Sequence, residues 1–284
     1  MPKRIIVIDS QRLDAIQSCM YLYKLRFGGG PSTPQQTPDY FERGGLLHRM
    51  LESYYKIKKY RSRWELNKKT HADVVESCII IGRTTATKMS LDIAEIETVI
   101  DTFRQYTTHW ENDSWYDVLA IEQVGSRVLF ESEEIVILYE SKVDLILKLN
   151  GSVVPVDHKS SKSRRDPNYL ANQFKGYCWI LGVNSIIVNE IGFQRTLKAT
   201  EKFRRHTLSY SASVLEEWKQ NTTWWVLDAV KKIDTETYPM NFTSCDKYSG
   251  CMFKSICQAD PEVREYKLKS LFAVTDKWDV GAAL

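Results

Sequence analysis

Asp144, Asp157 and Lys159 carry the chemistry most readily read from this sequence, because they lie in two apolar runs joined by Asn150-Gly151. An Asn-Gly pair between such runs marks a two-residue β-hairpin turn. With the turn centred on residues 150 and 151, Asp144 falls beside Asp157 or Lys159, and Asp157 and Lys159 project from one face of their strand. Two carboxylates converging among Leu145, Ile146, Leu147, Val153, Val154 and Val156 are costly to bury without a compensating positive charge. A divalent cation supplies it. Oxygen ligands suit Mg²⁺ or Mn²⁺, whose bound water can serve as a nucleophile. Lys159 could orient or deprotonate that water and offset charge on a phosphate. A surface hairpin with its charges on the wet face accounts for these three residues equally well. Gln173 and Tyr177, four apart, share one face of a helix that begins a few residues after Lys159.

The cysteines form a second group. Cys19, Cys78, Cys178, Cys245, Cys251 and Cys257 are the six, and the last three fall within thirteen residues. Without an export signal, metal or cluster ligation is a better account of them than a disulfide framework.

The elements that must position these residues follow from periodicity and punctuation. Apolar spacing predicts helices over 10–27, ending at Gly28-Gly29-Gly30; over 41–60, with His48 beside Leu46, Leu47, Met50, Leu51 and Tyr54; and over 88–110. Short runs rich in β-branched and aromatic residues predict strands over 116–124, 126–130, 135–139, 142–149 and 152–157. A helix over 167–181, strands over 185–192 and 206–210, and a long helix over 213–232 precede the cysteine-bearing tail. The chain reads as one domain, 1–284. Its N-terminal helical part, 10–115, holds Cys19 and His48, its sheet core spans 116–210, and its C-terminal helix and tail span 211–284.

Taken together, Asp144, Asp157-His158-Lys159 and Gln173-Phe174-Lys175-Gly176-Tyr177 resemble the signature of the RecB-family branch of PD-(D/E)xK nucleases. That branch is similar to the CRISPR-associated and AddB-like exonucleases. The resemblance implies an α/β fold with a restriction-endonuclease-like core, a mixed central β-sheet flanked by helices, helical additions and a cysteine-rich C-terminal tail. It implies a metal site formed by His48, Asp144, Asp157 and the backbone carbonyl of His158. Lys159 is expected to position the attacking water, with Gln173 and Tyr177 holding Lys159 and the substrate backbone. It further implies a [4Fe–4S] cluster on Cys19, Cys245, Cys251 and Cys257, with Zn²⁺ as the alternative occupant. Cys78 and Cys178 are left as packing residues. The sequence departs from the pattern at Ser141-Lys142, where relatives commonly have glycine, and this sets a cation near the expected metal site.

Composition is consistent with a folded protein that handles a polyanion without being strongly basic. The net charge is +3, with 43% hydrophobic and 26% charged residues, which excludes disorder as the main state. Basic residues cluster at 56–63, at Lys159, Lys162, Arg164 and Arg165, and at Lys202, Arg204, Arg205 and His206, as a phosphodiester backbone would require. Trp179, Trp218, Trp224 and Trp225 are expected mainly in the core rather than stacked on bases. No Walker A sequence is present, so any helicase or recombination motor acting with the chain is a separate protein. Apolar runs such as Ile5–Ile8 fall far short of the ~20 residues a membrane span requires. Asp9 and Arg12 break that run before a signal-peptide core could form. The expected location is the cytoplasm, or the host cytosol for a phage-encoded protein. The expected activity is metal-dependent DNA hydrolysis, mainly exonucleolytic with single-stranded ends favoured. The competing expectation is a weakly active or inactive DNA-binding component of a recombination or replication complex with the same fold.

Overall fold

The computed structural model describes residues 3–34, 39–60, 70–113, 116–161, 166–194, 196–247 and 250–274. In chain order its elements are β1 (Arg4–Ile8), α1 (Ser10–Ser18), α2 (Met20–Phe27), β2 (Thr33–Pro34), α3 (Asp39–Lys59), α4 (His71–Ala86) and α5 (Ile93–His109). There follow β3 (Tyr116–Glu131), β4 (Ile135–Leu149), β5 (Ser152–Ser161), α6 (Asn172–Leu181), β6 (Ser185–Gly192), α7 (Ala199–Lys202) and β7 (Phe203–Ser209). The C-terminal part holds α8 (Ala212–Asp234), α9 (Lys254–Cys257), α10 (Arg264–Leu271) and β8 (Phe272–Ala273).

The expected mixed sheet is present. The long strand β4 is its spine, paired antiparallel with β3 along its length. Its other flank is shared by two strands: β1 lies parallel to its first half and β5 antiparallel to its second. Beyond β5 come β6, parallel to it, and β7, antiparallel to β6. The β4–β5 connection is the tight turn that Asn150-Gly151 foretold, with positive φ at both residues (48° and 86°) as a type I′ hairpin demands. Leu145 then pairs with Val156, so the next position brings Asp144 beside Asp157.

Alternation along β4 serves two layers. Leu145 and Leu147 pack with Leu46, Leu47, Met50 and Leu51 of α3, Val74, Cys78 and Ile79 of α4, and Val99, Ile100 and Phe103 of α5. Ile146 faces the opposite layer, among Phe174, Tyr177 and Cys178 of α6 and Val188 of β6. Both Cys78 and Cys178 are fully buried, as packing thiols should be. A separate cluster joins α1, α6 and α8 through Leu13, Ile16, Tyr139, Trp179 and Trp218. No helix of the described residues is long and apolar enough to cross a membrane.

Several elements differ from the sequence expectation, each for a physical reason. The helix expected over 10–27 is two, because Cys19 is extended (φ −169°, ψ 119°). The Ser18 carbonyl accepts from Asn241 Nδ2 (2.8 Å) and Ser244 Oγ (3.0 Å) of the tail. Helix α4 was not foreseen, since Val, Ile, Thr and Gly dominate it and favour helix poorly. A Thr70/Asp73 capping box starts it, and its packing on α3 supplies the rest. The five short strands expected between 116 and 157 merge into three long ones, with β-bulges absorbing the irregularities in β3. The helix expected from 167 begins at Asn172, since Asn168 holds a turn through its own side chain to Leu170 N (3.0 Å).

Gly176 lets α6 lie against β4. A Cβ there would sit 2.5 Å from the phenol oxygen of Tyr139, a ring with no exposure. Alanine in a helix gains up to ~1 kcal/mol over glycine, but overpacking against a fixed ring costs about 1–3 kcal/mol or more. Gly176→Ala is therefore expected to lower stability despite improving helix propensity, as a lower urea midpoint measured by circular dichroism.

Candidate active site

Hairpin register and helix packing bring the predicted residues together. Asp144 stands on β4, Asp157, His158 and Lys159 on β5, Gln173 and Tyr177 on α6, and His48 on α3. Gly44, one turn before His48, allows α3 to approach β5, since a Cβ there would lie 3.3 Å from Ser160 Oγ. His48 then reaches the strand: its Nε2 donates to the His158 carbonyl (2.8 Å), leaving Nδ1 3.6 Å from Asp144 Oδ2. The backbone N–H of His158 donates to the same Asp144 oxygen (2.8 Å).

On the other side of the pair, Lys159 is fixed by a relay. Its Nζ lies 2.8 Å from Asp157 Oδ2 and donates to Asp157 Oδ1 (3.1 Å) and Gln173 Oε1 (2.9 Å). Gln173 Nε2 donates to the Tyr177 hydroxyl (2.8 Å), which donates to the Lys142 carbonyl (2.8 Å). The helical spacing of Gln173 and Tyr177 thus becomes one line of hydrogen bonds from β4 to the lysine. The His158 ring turns inward, stacked on Tyr55 and accepting from Asn189 Nδ2 (2.8 Å).

Electrostatics follow from this crowding. Burial and the neighbouring Asp157 carboxylate push Asp144 up to about 6, against the pull of His48, the His158 N–H and Lys159. Burial works against a charged Lys159, yet the Asp157 carboxylate outweighs it and holds the lysine above its ordinary value. Burial, reinforced by the positive charges of His48, Arg205 and Lys159, holds the His158 ring well below its ordinary value.

One residue of the site escaped the sequence reading. Glu122 of β3 sits between Ile121, opposite Leu145, and Gln123, opposite Val143, and so directly opposite Asp144. Three adjacent strands therefore each carry a carboxylate in one row: Glu122, Asp144 and Asp157. Ligand atoms of His48, Glu122 and Asp144 lie within 4.8 Å of one another, close enough together that they could hold a metal ion. Glu122 pairs with Lys142 Nζ at 2.7 Å and holds a left-handed backbone (φ 49°), a costly state that persists where the surroundings over-determine it. This set differs from the expected one by gaining Glu122, while Asp157 is engaged with Lys159 and the His158 carbonyl with His48.

The basic segment 202–206 does not face the site. Arg205, half-buried, pairs with Asp113 (2.5 Å) and lies over the Trp110 ring, Arg204 and His206 pair with Glu190, and Lys202 donates to Gln105. It braces the sheet instead of lining a polyanion path. Lys162, Arg164 and Arg165, like Arg61 and Arg63 of the first cluster, lie outside the described residues. Trp179 and Trp218 are core, as expected, but Trp224 and Trp225 are exposed.

The four cysteines converge at the other end of α1. Cys19, Cys245, Cys251 and Cys257 line one cavity of about 330 Å³, with Leu25, Phe41, Met240 and Phe253 around them. Cys19 Sγ accepts from Asn241 N (3.3 Å), and Cys251 N donates to the Cys245 carbonyl (2.7 Å). Burial and the neighbouring thiols hold Cys251 and Cys257 above the ordinary thiol range.

A putative exonuclease from Eubacterium rectale shares the fold, with a TM-score of 0.51 at 10% identity over 84% of this chain and 86% of that one. SSO0001 matches at a TM-score of 0.34 and 16% identity over 71% of this chain and 81% of that one. The alkaline exonuclease LHK-Exo from Laribacter hongkongensis matches at 0.34 and 10% over 58% and 82%. No curated relative matches the chain. The family model of the PD-(D/E)XK nuclease superfamily matches residues 10–258, and the chain belongs to that superfamily.

Proposed function

We propose that the chain is a metal-dependent deoxyribonuclease that hydrolyses phosphodiester bonds, working from DNA ends and favouring single-stranded ones. The observation that carries this reading is the relay Asp157–Lys159–Gln173–Tyr177 set beside the row of carboxylates. A lysine held between a carboxylate and an amide is oriented at one point, as a group that handles a proton must be.

The donor set fits Mg²⁺ or Mn²⁺. Carboxylate oxygens from Glu122 and Asp144 and the free Nδ1 of His48 converge, and buried Asp157 Oδ2 lacks an aligned hydrogen-bond donor. Oxygen-rich sites with one imidazole suit such ions. A bound ion would supply a water of lowered pKa and a Lewis acid for a phosphoryl oxygen. The chain's own residues do the rest. Asp144, together with Asp157 and the His158 carbonyl, sets where the reacting water stands; Lys159 holds that water and donates toward developing phosphate charge; Gln173 and Tyr177 keep Lys159 in place.

Cys19, Cys245, Cys251 and Cys257 would hold a [4Fe–4S] cluster, which supplies four iron–thiolate bonds joining the first helices to the tail. The four thiols line one cavity, and the charge that Cys251 and Cys257 would meet there from their neighbours as thiolates supports a cation held among them.

Asp144→Ala, Asp157→Ala and Lys159→Ala are each expected to cut Mn²⁺-dependent digestion of end-labelled single-stranded DNA by at least about 10²-fold while the circular dichroism spectrum is kept. Cleavage retained in all three, or a wild-type chain that binds DNA and never cuts it, overturns the assignment. Stability should also report the site. The folded pKa of Asp144, about 6, exceeds its ordinary value of 3.8, so the folded state binds more protons between these values and loses stability as pH rises through them. Asp144→Asn should therefore raise the melting temperature of the metal-free protein at pH 7.5, by up to about 3 kcal/mol in stability. The gain should vanish below pH 4, and Mn²⁺ should stabilise the variant less than wild type. Anaerobic preparations should be brown with about four irons per chain, and Cys251→Ala should bleach them; one zinc per chain rejects the cluster.

A further inference from the structure

Helix α4 carries more apolar surface than its packing uses. Its buried face is Val74, Val75, Cys78, Ile79, Gly82 and Ala86. Ile80 and Ile81 lie off that face, 64% and 37% exposed, although amphipathic spacing calls for polar residues there. Both line a cleft of about 920 Å³ together with His48, Glu122 and Asp144. Thr84 and Thr85, also in the cleft wall, fold their hydroxyls back onto the Ile80 and Ile81 carbonyls (3.0 and 2.9 Å), spending their polar groups on the helix. The wall is firmly set, since a Cβ at Gly82 would meet Met50 of α3 at 2.6 Å.

The facing wall is charged. Arg49 and Lys56 of α3 share the single carboxylate of Glu52, so that side keeps a net positive charge, and Lys88 and Lys142 line the same cleft. One side thus suits phosphates and the other suits apolar faces, with the carboxylate row between them. We propose that Ile80 and Ile81 form a shelf for unpaired bases, so that the cleft takes one DNA strand with its backbone along α3 and its bases on α4. A duplex turns its phosphates outward and keeps its base faces stacked inside, offering nothing to two isoleucines. An unpaired base exposes an apolar face that gains from leaving water. This inference rests on the nuclease reading of the adjoining carboxylates and names the element that reads strandedness.

The test is fluorescence anisotropy with a labelled single-stranded oligonucleotide and the matching blunt duplex, in EDTA so that nothing is cut. The double variant Ile80→Ser/Ile81→Ser should lose about tenfold in single-strand affinity and less than twofold for the duplex. The variant Ile80→Leu/Ile81→Leu, which keeps the apolar surface, should bind the single strand within twofold of wild type. Equal losses on both DNA forms, no loss on the single strand, or a loss in the leucine variant as large as in the serine one overturns the shelf. Because binding is read without hydrolysis, a chain that prefers single strands through Ile80 and Ile81 yet never cuts overturns the nuclease reading alone. A chain that cuts while its serine variant binds as before overturns the shelf alone.

Discussion

Repulsion among Glu122, Asp144 and Asp157, carboxylates set side by side on three neighbouring strands, is the constraint from which the rest of the site follows. Each is met by a separate positive or donating group: Lys142 at Glu122, the His158 N–H and His48 at Asp144, Lys159 at Asp157. None of these partners comes from the same strand position, so the row depends on α3, α6 and the sheet all being in register. Burial and the Asp157 carboxylate together outweigh that compensation and hold Asp144 above its ordinary value, so a cation bound there would stabilise the fold.

The helices around the sheet act as holders of that row. Helix α3 enters close to β5 because Gly44 permits it, and α6 lies against β4 because Gly176 does. The first delivers His48 and the second delivers the Gln173–Tyr177 end of the lysine relay. Helix α4 forms the outer wall, and its position is set by contact with Met50 rather than by its own helix propensity. At the far end of α1 the tail returns to the Cys19 break and fastens there through Ser18, Asn241 and Ser244. The thiol cavity thus ties the cysteine-bearing tail to the first helices, which pack through α1 on the sheet layer that includes Tyr139.

The sequence by itself determined the hairpin, and with it the meeting of Asp144 and Asp157, because an Asn-Gly turn fixes register locally and period-two alternation fixes the face. It also determined the pairing of Gln173 with Tyr177, since helical spacing alone puts them one turn apart. Tertiary structure alone decided Glu122. A bulge between Val128 and Phe130 shifts β3 by one residue against β4, and one residue of slip moves every later side chain to the other face, so no count along the chain would have placed Glu122 in the row. It also decided that 202–206 is a brace, because acidic Glu190 and Asp113 reach it from elements distant in sequence, and that Cys19 breaks a helix whose local pattern is continuous, because the tail claims the Ser18 carbonyl. Local patterns specify what is near in sequence; charge pairing and strand slip depend on what the fold brings from afar.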